Sequence, residues 1–119
     1  MATKVMRSVS FLLDGTDVLA LEYLCALHGL KMSGALRYSL RRPVLGMGEH
    51  DDLCPLALSL SEQSRTRKKL ADPKMVQARL RPRDLESAEK WAEEWRISTA
   101  SAAVRFAIRA AAMMEGWRG

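Results

Sequence analysis

The chain has 119 residues, of which 48% are hydrophobic, 6% aromatic and 28% charged, and its formal net charge is +5. This length corresponds to one domain or two very small ones, with enough apolar residues for a modest core. The moderate basic excess is compatible with an anionic partner but does not identify one, and no apolar run is long enough for a membrane span.

Cysteine and histidine usage argues against a metal centre. Cys25 and Cys54 lie outside any spacing typical of zinc sites, and they favour a reducing compartment without a disulfide. His28 and His50 have no second ligand near them in the sequence, so no metal or other cofactor is expected. No nucleophile–base set, acid–base pair or phosphate-binding glycine loop is recognisable. The sequence is therefore not expected to encode an enzyme. Because its start does not resemble a signal peptide, we expect a cytoplasmic protein.

The first predicted element is a strand of about six residues within RSVSFLLDG, which begins at residue 7. Its apolar positions Val9, Phe11 and Leu13 recur with a period of two, which is typical of a strand with one buried face. A single strand cannot satisfy its backbone groups and its apolar face alone, so it needs a partner.

Two predicted helices follow, over about 16–28 and about 32–42. The first has one apolar stripe at spacings of three and four. Either Asp14 or Thr16 is a suitable N-cap for it, and Gly29 suits its C-terminal end.

The segment 43–73 is interpreted as a tether between two structured parts. A short helix beginning near Asp51, with Pro55 in its first turn, is also predicted within it. The basic run RTRKK at 65–69 has a second interpretation, as a patch that grips phosphate or a partner.

The rest of the chain repeats the beginning. Residues 74–97 align with residues 7–30 at an offset of sixty-seven residues. Further along, SGALRYSLR at 33–41 aligns with SAAVRFAIR at 101–109. A repeat at this spacing indicates two copies of one supersecondary unit.

The second copy therefore supplies the missing strand, in the first half of KMVQARLRPRDL at 74–85 with Val76, Ala78 and Leu80 inward, and two further helices over about 83–95 and 99–114. We expect the two strands to pair antiparallel above four helices. The predicted fold is mainly α with a two-stranded antiparallel β-ribbon, an internally duplicated unit that forms a single-chain pseudo-dimer. Its parts are copy one at 4–42, the linker at 43–73 and copy two at 74–119.

Four helix arginines recur at aligned positions of the two copies. Helix arginines usually cover core edges or pair with carboxylates, here for example Glu22 and Glu89, so we expect a structural role. The four are Arg37, Arg41, Arg105 and Arg109.

Other side chains are assigned to the core rather than to a site. Trp95 and His28 fall on the apolar stripes of their helices, so each is expected to pack inward. Met113, Met114 and Trp117 are expected to cap the core.

Both copies resemble the ribbon-helix-helix DNA-binding proteins. The resemblance rests on the alternating strand, the loop LRPRDL, the following helix and the pattern S-x-A-[LV]-R-x-[SA]-[LI]-R, over about 7–42 and 74–111. Copy one departs from the pattern with Leu12 on its outer face and Asp14–Gly15 where proline is usual. Two copies in one chain resemble the accessory proteins of conjugative DNA transfer, among them the VirC-operon family that acts at the T-DNA transfer enhancer (overdrive) of tumour-inducing plasmids.

The resemblance implies that the ribbon enters the major groove of double-stranded DNA and that helix N-termini contact phosphates. The residues expected to contact bases are Ser8, Ser10, Leu12, Gln77 and Arg79. The residues expected to contact phosphates are Lys4, Arg7, Lys31, Ser33, Lys74, Arg81, Ser98, Thr99 and Ser101. Because the two strands differ, the preferred site is expected not to be a palindrome.

Three functions remain open from the sequence. The first is a DNA-binding accessory factor for plasmid or T-DNA transfer, for which the resemblance implies a relaxase and a ParA-like ATPase as protein partners. The second is a transcriptional repressor or antitoxin, and the third is a protein-interaction module of a transfer complex. In each case the linked copies predict a monomer in solution and no membrane partner.

Overall fold

The computed structural model describes residues 7–41, 53, 55–60, 73–95, 97 and 100–118. Its elements, in chain order, are β1 (Arg7–Leu13), α1 (Gly15–His28), α2 (Met32–Arg41), β2 (Lys74–Leu80), α3 (Pro82–Glu94) and α4 (Ala100–Met114). Residues 55–60 are also helical. The four predicted helices are confirmed, and none of their ends differs from the prediction by more than one residue.

The two strands form the predicted antiparallel ribbon. Val9 lies opposite Ala78, Phe11 opposite Val76, and Ser10 opposite Gln77 at the centre. In β2 the burial alternates from Met75 onward, with Val76, Ala78 and Leu80 inward. The mainly helical fold with a two-stranded antiparallel β-ribbon is therefore confirmed.

Helix α1 is fixed at both ends by local hydrogen bonds. The Asp14 carboxylate accepts the Asp17 backbone N–H at 2.7 Å, and the Asp17 carboxylate accepts the Asp14 N–H at 3.0 Å. This reciprocal capping box identifies Asp14 as the N-cap. At the other end Gly29 has φ 64°, a left-handed conformation that favours glycine, and it ends the helix as predicted.

One core lies beneath the ribbon. It contains fully buried side chains from β1, α1, α2, β2 and α4, with Leu85 of α3 packed against it. Trp95, which follows α3, is buried as expected, and its ring centroid lies 5.1 Å from that of Phe106. Both strands and helices from both halves of the chain therefore share one apolar interior.

The connecting segment contributes to this core as well. Leu53, Ala57 and Leu60 are buried within it, and Pro55 begins the helical residues 55–60. Asp51 and the basic run at 65–69 lie outside the described residues. The described part of the segment therefore contributes to the core in addition to connecting the two halves of the chain.

His28 does not join the core, contrary to the sequence assignment. It lies at the end of α1, where its ring stacks at 4.4 Å on Tyr38 and its Nε2 lies 2.5 Å from Glu115 Oε1. The next residue, Gly29, turns the chain away from the helix, so the apolar stripe no longer determines where the side chain at 28 points. Met113, Met114 and Trp117 pack against the core, as expected.

Within the described ranges, no helix has both the length and the apolar character needed to cross a membrane.

Candidate nucleic-acid interface

The ribbon turns one face toward the helices and the other toward solvent. We call the second the outer ribbon face. It consists of three cross-strand pairs, Ser8–Arg79, Ser10–Gln77 and Leu12–Met75. All six residues are exposed. The structure therefore brings together every residue that the sequence assigned to base contact.

Polar side chains on the outer ribbon face are not engaged elsewhere in the fold. Within the described ranges, the side chains of Ser8, Ser10, Gln77 and Arg79 form no hydrogen bond or ion pair. Their hydroxyl, amide and guanidinium groups are therefore free to bind a ligand laid along the ribbon.

Met75 belongs to the outer ribbon face and was missed in the sequence-based assignment. It lies directly opposite Leu12 and is 58% exposed, while Leu12 is 43% exposed. The alternation that placed Gln77 and Arg79 outward applies equally one step earlier, at Met75. That signal was sufficient to identify it.

The predicted phosphate contacts are spread over several elements. Lys74 is exposed at the start of β2, opposite Leu13. At the start of α2, Lys31 is exposed and Ser33 is half-buried, and Ser101 is exposed in the first turn of α4.

Arg81 is less exposed than expected for a residue that contacts phosphate. Its backbone N–H donates to Asp84 Oδ2 at 2.9 Å, and its side chain is half-buried. The Nε atom is buried without a hydrogen-bond partner among the described residues. Lys4, Ser98, Thr99 and the side chain of Arg7 lie outside the described part of the structure, so these assignments stay predictions.

A buried ion-pair cluster joins α4 to the start of α1. The Arg105 guanidinium donates to Asp17 at 2.5 Å and to Asp14 at 2.6 Å. Arg109 binds the same two carboxylates, through Nε to Asp17 at 2.6 Å and through Nη2 to Asp14 at 2.9 Å. Because Asp17 is fully buried, these bonds compensate the cost of removing its charge from water.

A second, simpler ion pair joins α2 to the start of α3. Arg41 binds Asp84 through Nε at 2.8 Å and through Nη2 at 3.2 Å, and Asp84 is buried. Arg37, in the same helix, donates to the backbone carbonyl of Arg79 at 3.4 Å and so holds α2 against β2.

The structural role expected of the helix arginines is therefore confirmed, but the suggested partners were wrong. Glu22 and Glu89 are exposed and take no part in these ion pairs. The carboxylates that do so lie at helix starts on another part of the chain. Arg79, in contrast, is exposed on the outer ribbon face, and its guanidinium forms no ion pair with any described residue.

These contacts perturb the pKa values of the two capping carboxyls. Burial raises the pKa of Asp14, but the Asp17 N–H and the nearby Arg109 and Arg105 outweigh it and lower that pKa below its ordinary value. Burial likewise raises the pKa of Asp84, and its hydrogen bonds from Arg41 and from the Arg81 N–H produce a net lowering. Both side chains are therefore held as carboxylates in the folded protein.

Within the described ranges, no group of three or more His, Cys, Asp or Glu side chains is arranged to hold a metal ion. Comparison of the chain with protein-family models, with curated proteins and with solved structures gave no match.

Proposed function

We propose that this chain is an internally duplicated ribbon-helix-helix protein that binds double-stranded DNA by placing its outer ribbon face in the major groove. The observation that carries the proposal is the set of six exposed ribbon residues, whose polar members have no partner within the described fold.

The register of the ribbon supports the duplication. Ser10 lies opposite Gln77, the residue with which it aligns at an offset of sixty-seven. Ser8 aligns with Met75 but pairs with Arg79, and Leu12 aligns with Arg79 but pairs with Met75. Such exchange of partners about a central pair is what a two-fold axis through that pair requires.

The ion pairs follow the same relation. Asp17 aligns with Asp84, and Arg109 aligns with Arg41. Arg109 binds Asp17 through Nε, and Arg41 binds Asp84 through Nε, so the last helix of each copy holds the first helix of the other. This reciprocal arrangement fits two copies that fold as one unit.

The two copies differ at one capping position, and that difference accounts for the unequal ion pairs. Asp14 in copy one aligns with Arg81 in copy two. Without a carboxylate at 81, Arg37 has no counterpart of the Arg105–Asp14 bond and instead contacts the Arg79 carbonyl. The difference between Asp14 and Arg81 therefore changes one arginine contact, while the corresponding ion pairs Arg41–Asp84 and Arg109–Asp17 are both present.

The dimensions of the ribbon suit a major groove. Two paired strands lie about 4.8 Å apart, and the groove is about 12 Å wide, so a two-stranded ribbon with its side chains fills it. Arginine can form bidentate hydrogen bonds to guanine, glutamine to adenine, and serine to either. Arg79, Gln77, Ser8 and Ser10 thus present suitable donors and acceptors along one face.

Phosphate contacts would fix the ribbon in the groove. The starts of α2 and α4 offer backbone N–H groups and the positive end of a helix dipole. Lys31 and Ser33 lie at the first of these ends and Ser101 at the second, and Lys74 is the exposed first residue of β2. The net charge of +5 favours association with the phosphate backbone.

The resemblance to the VirC-operon family leads us to propose that the protein is an accessory factor in DNA transfer. We propose that it acts in the cytoplasm as a monomer, because the linked copies need no second chain. A relaxase and a ParA-like ATPase are the protein partners proposed on the same basis. A repressor or antitoxin on the same fold would use the same ribbon, whereas a protein-interaction module would not need it.

Titration of fluorescent duplexes at two salt concentrations tests the proposal. We expect binding that weakens steeply with salt, because phosphate contacts release counterions. Absence of binding to every duplex tested at low salt would refute the proposal and leave the protein-interaction module.

A further inference from the structure

We infer that the outer ribbon face binds its DNA in one orientation, with the Ser8–Arg79 pair on a guanine and the Leu12–Met75 pair on the methyl group of a thymine. The inference rests on the proposed DNA binding and adds to it the chemical identity of the bases at the two ends of the contact.

The outer ribbon face is chemically polarised along its length. One end carries Ser8 and Arg79, which are polar and cationic, and the other carries Leu12 and Met75, which are apolar. The two-fold relation proposed for the copies would make these ends equivalent in a symmetric protein. Here they differ at both positions, so the two ends cannot read the same base.

The polar end has the chemistry for guanine. The Arg79 guanidinium is exposed and has no ion-pair partner within the described ranges, so its planar fork of donors is available to O6 and N7 of guanine. The Ser8 hydroxyl directly opposite can donate to or accept from the neighbouring base edge.

The apolar end has the chemistry for thymine. Leu12 and Met75 expose 43% and 58% of their surface side by side on a face whose other members are polar. In the major groove, the C5 methyl of thymine is the group that offers an apolar contact. Covering both side chains with that methyl group removes apolar surface from water, which a cytosine in the same place would not do to the same extent.

The spacing of the two ends sets the length of the site. Ser8 and Leu12 are four positions apart, which at about 3.4 Å per residue is roughly 14 Å along the strand. Since base pairs rise about 3.4 Å each, the guanine and the thymine would lie about four base pairs apart. Ser10 and Gln77 lie between them, where Gln77 can bind adenine.

The test begins with the duplex that the full chain prefers from a random pool. In that duplex, replacing the guanine by 7-deazaguanine removes the N7 acceptor, and replacing the thymine by uracil removes only the methyl group. We expect roughly a 5- to 100-fold loss of affinity for the first change and about a fourfold loss for the second.

Two variants then assign each base to its end of the ribbon. A Leu12→Ala/Met75→Ala variant should bind the thymine and uracil duplexes equally and still discriminate against 7-deazaguanine. The Arg79→Ala variant should bind the guanine and 7-deazaguanine duplexes equally and still prefer thymine to uracil. All three residues are exposed, so circular dichroism should show that both variants remain folded.

The inferred orientation would be wrong if the preferred site were a palindrome, or if the unmodified, 7-deazaguanine and uracil duplexes bound equally well. It would also be wrong if both variants changed the guanine and the thymine preferences to the same extent. Each of these results would leave DNA binding itself intact. Failure to bind any duplex would overturn both the orientation and the proposed function.

Discussion

Arg109 holds Asp17 through a 2.6 Å hydrogen bond from Nε to Oδ1, across ninety-two positions of the chain. Asp17 is completely buried and accepts two further bonds, one from the Arg105 guanidinium and one from the backbone of Asp14. The Asp17 carboxylate thus completes the capping box of α1 and also fastens that helix to α4.

Asp17→Asn should strongly destabilise the fold. The amide keeps a side-chain acceptor but removes the negative charge between the buried Arg105 guanidinium and the half-buried Arg109 guanidinium. Breaking a buried ion pair by removing one partner costs about 3–5 kcal/mol, because the remaining charge is left uncompensated. Urea unfolding followed by circular dichroism measures this loss.

The control for this variant is Glu22→Gln, which removes the same charge from an exposed position. It should change the free energy of unfolding by no more than about 0.5 kcal/mol. Equal effects of the two variants would mean that the buried cluster contributes no specific stability.

Acid should destabilise the protein through its capping carboxyls. The pKa values of Asp14 and Asp84 are lowered in the folded state from the ordinary 3.8, so the folded protein binds fewer protons than the unfolded chain. Their contribution to stability is fully present above the unfolded pKa and is lost as the pH falls through the folded pKa. We expect the free energy of unfolding to decline as the pH drops below about 5.

Asp84→Asn isolates one part of this acid sensitivity. The variant should be less stable at neutral pH, and it should lose less stability than the wild type between neutral and acidic pH. Chemical unfolding at a series of pH values gives both numbers. Parallel stability curves for the two proteins would show that Asp84 does not titrate with folding.

Leu13→Ala should destabilise both halves of the molecule together. Leu13 is fully buried in the core shared by the strands and helices, and a truncation of this kind costs about 2–5 kcal/mol. Hydrogen exchange should show α2 and α4 losing protection in one transition. The matched control is Leu19→Ala, whose side chain is 56% exposed and whose loss should be small. Two separate transitions would contradict a shared core.

The ribbon and its outer face were predictable because their signals are local. Alternation with a period of two distinguishes the faces of a strand, and the repeat offset supplies the partner strand. The same alternation places Met75 on the outer ribbon face, so the sequence does contain a signal for this residue.

The ion-pair partners could not be predicted in this way. The sequence suggested Glu22 and Glu89, but Arg105 and Arg109 reach carboxylates that are close only after α4 has packed against α1. Likewise, Asp51 and Pro55 predicted the start of a short helix in the linker, and only the folded chain shows that Leu53 and Leu60 enter the core. Contacts of this kind depend on the relative placement of elements, which local periodicity does not determine.

Lys74→Ala should reduce the salt dependence of DNA binding. Lys74 is exposed at the first position of β2, at one end of the ribbon, and the loss of one phosphate contact lowers the slope of log affinity against log salt by about 1. Lys90→Ala, an exposed lysine on α3, provides the control and should leave the slope unchanged. The same slope in all three proteins would remove Lys74 from the interface.

Affinity of the Arg79→Ala protein for duplex DNA tests the central claim most directly. The matched control is Arg83→Ala, which removes an equal charge from an exposed position on α3. If the outer ribbon face reads base edges in the major groove, Arg79→Ala should weaken binding to the preferred duplex by about 1–3 kcal/mol, and Arg83→Ala should change it far less. Equal affinities of the wild type and a folded Arg79→Ala protein would contradict the account.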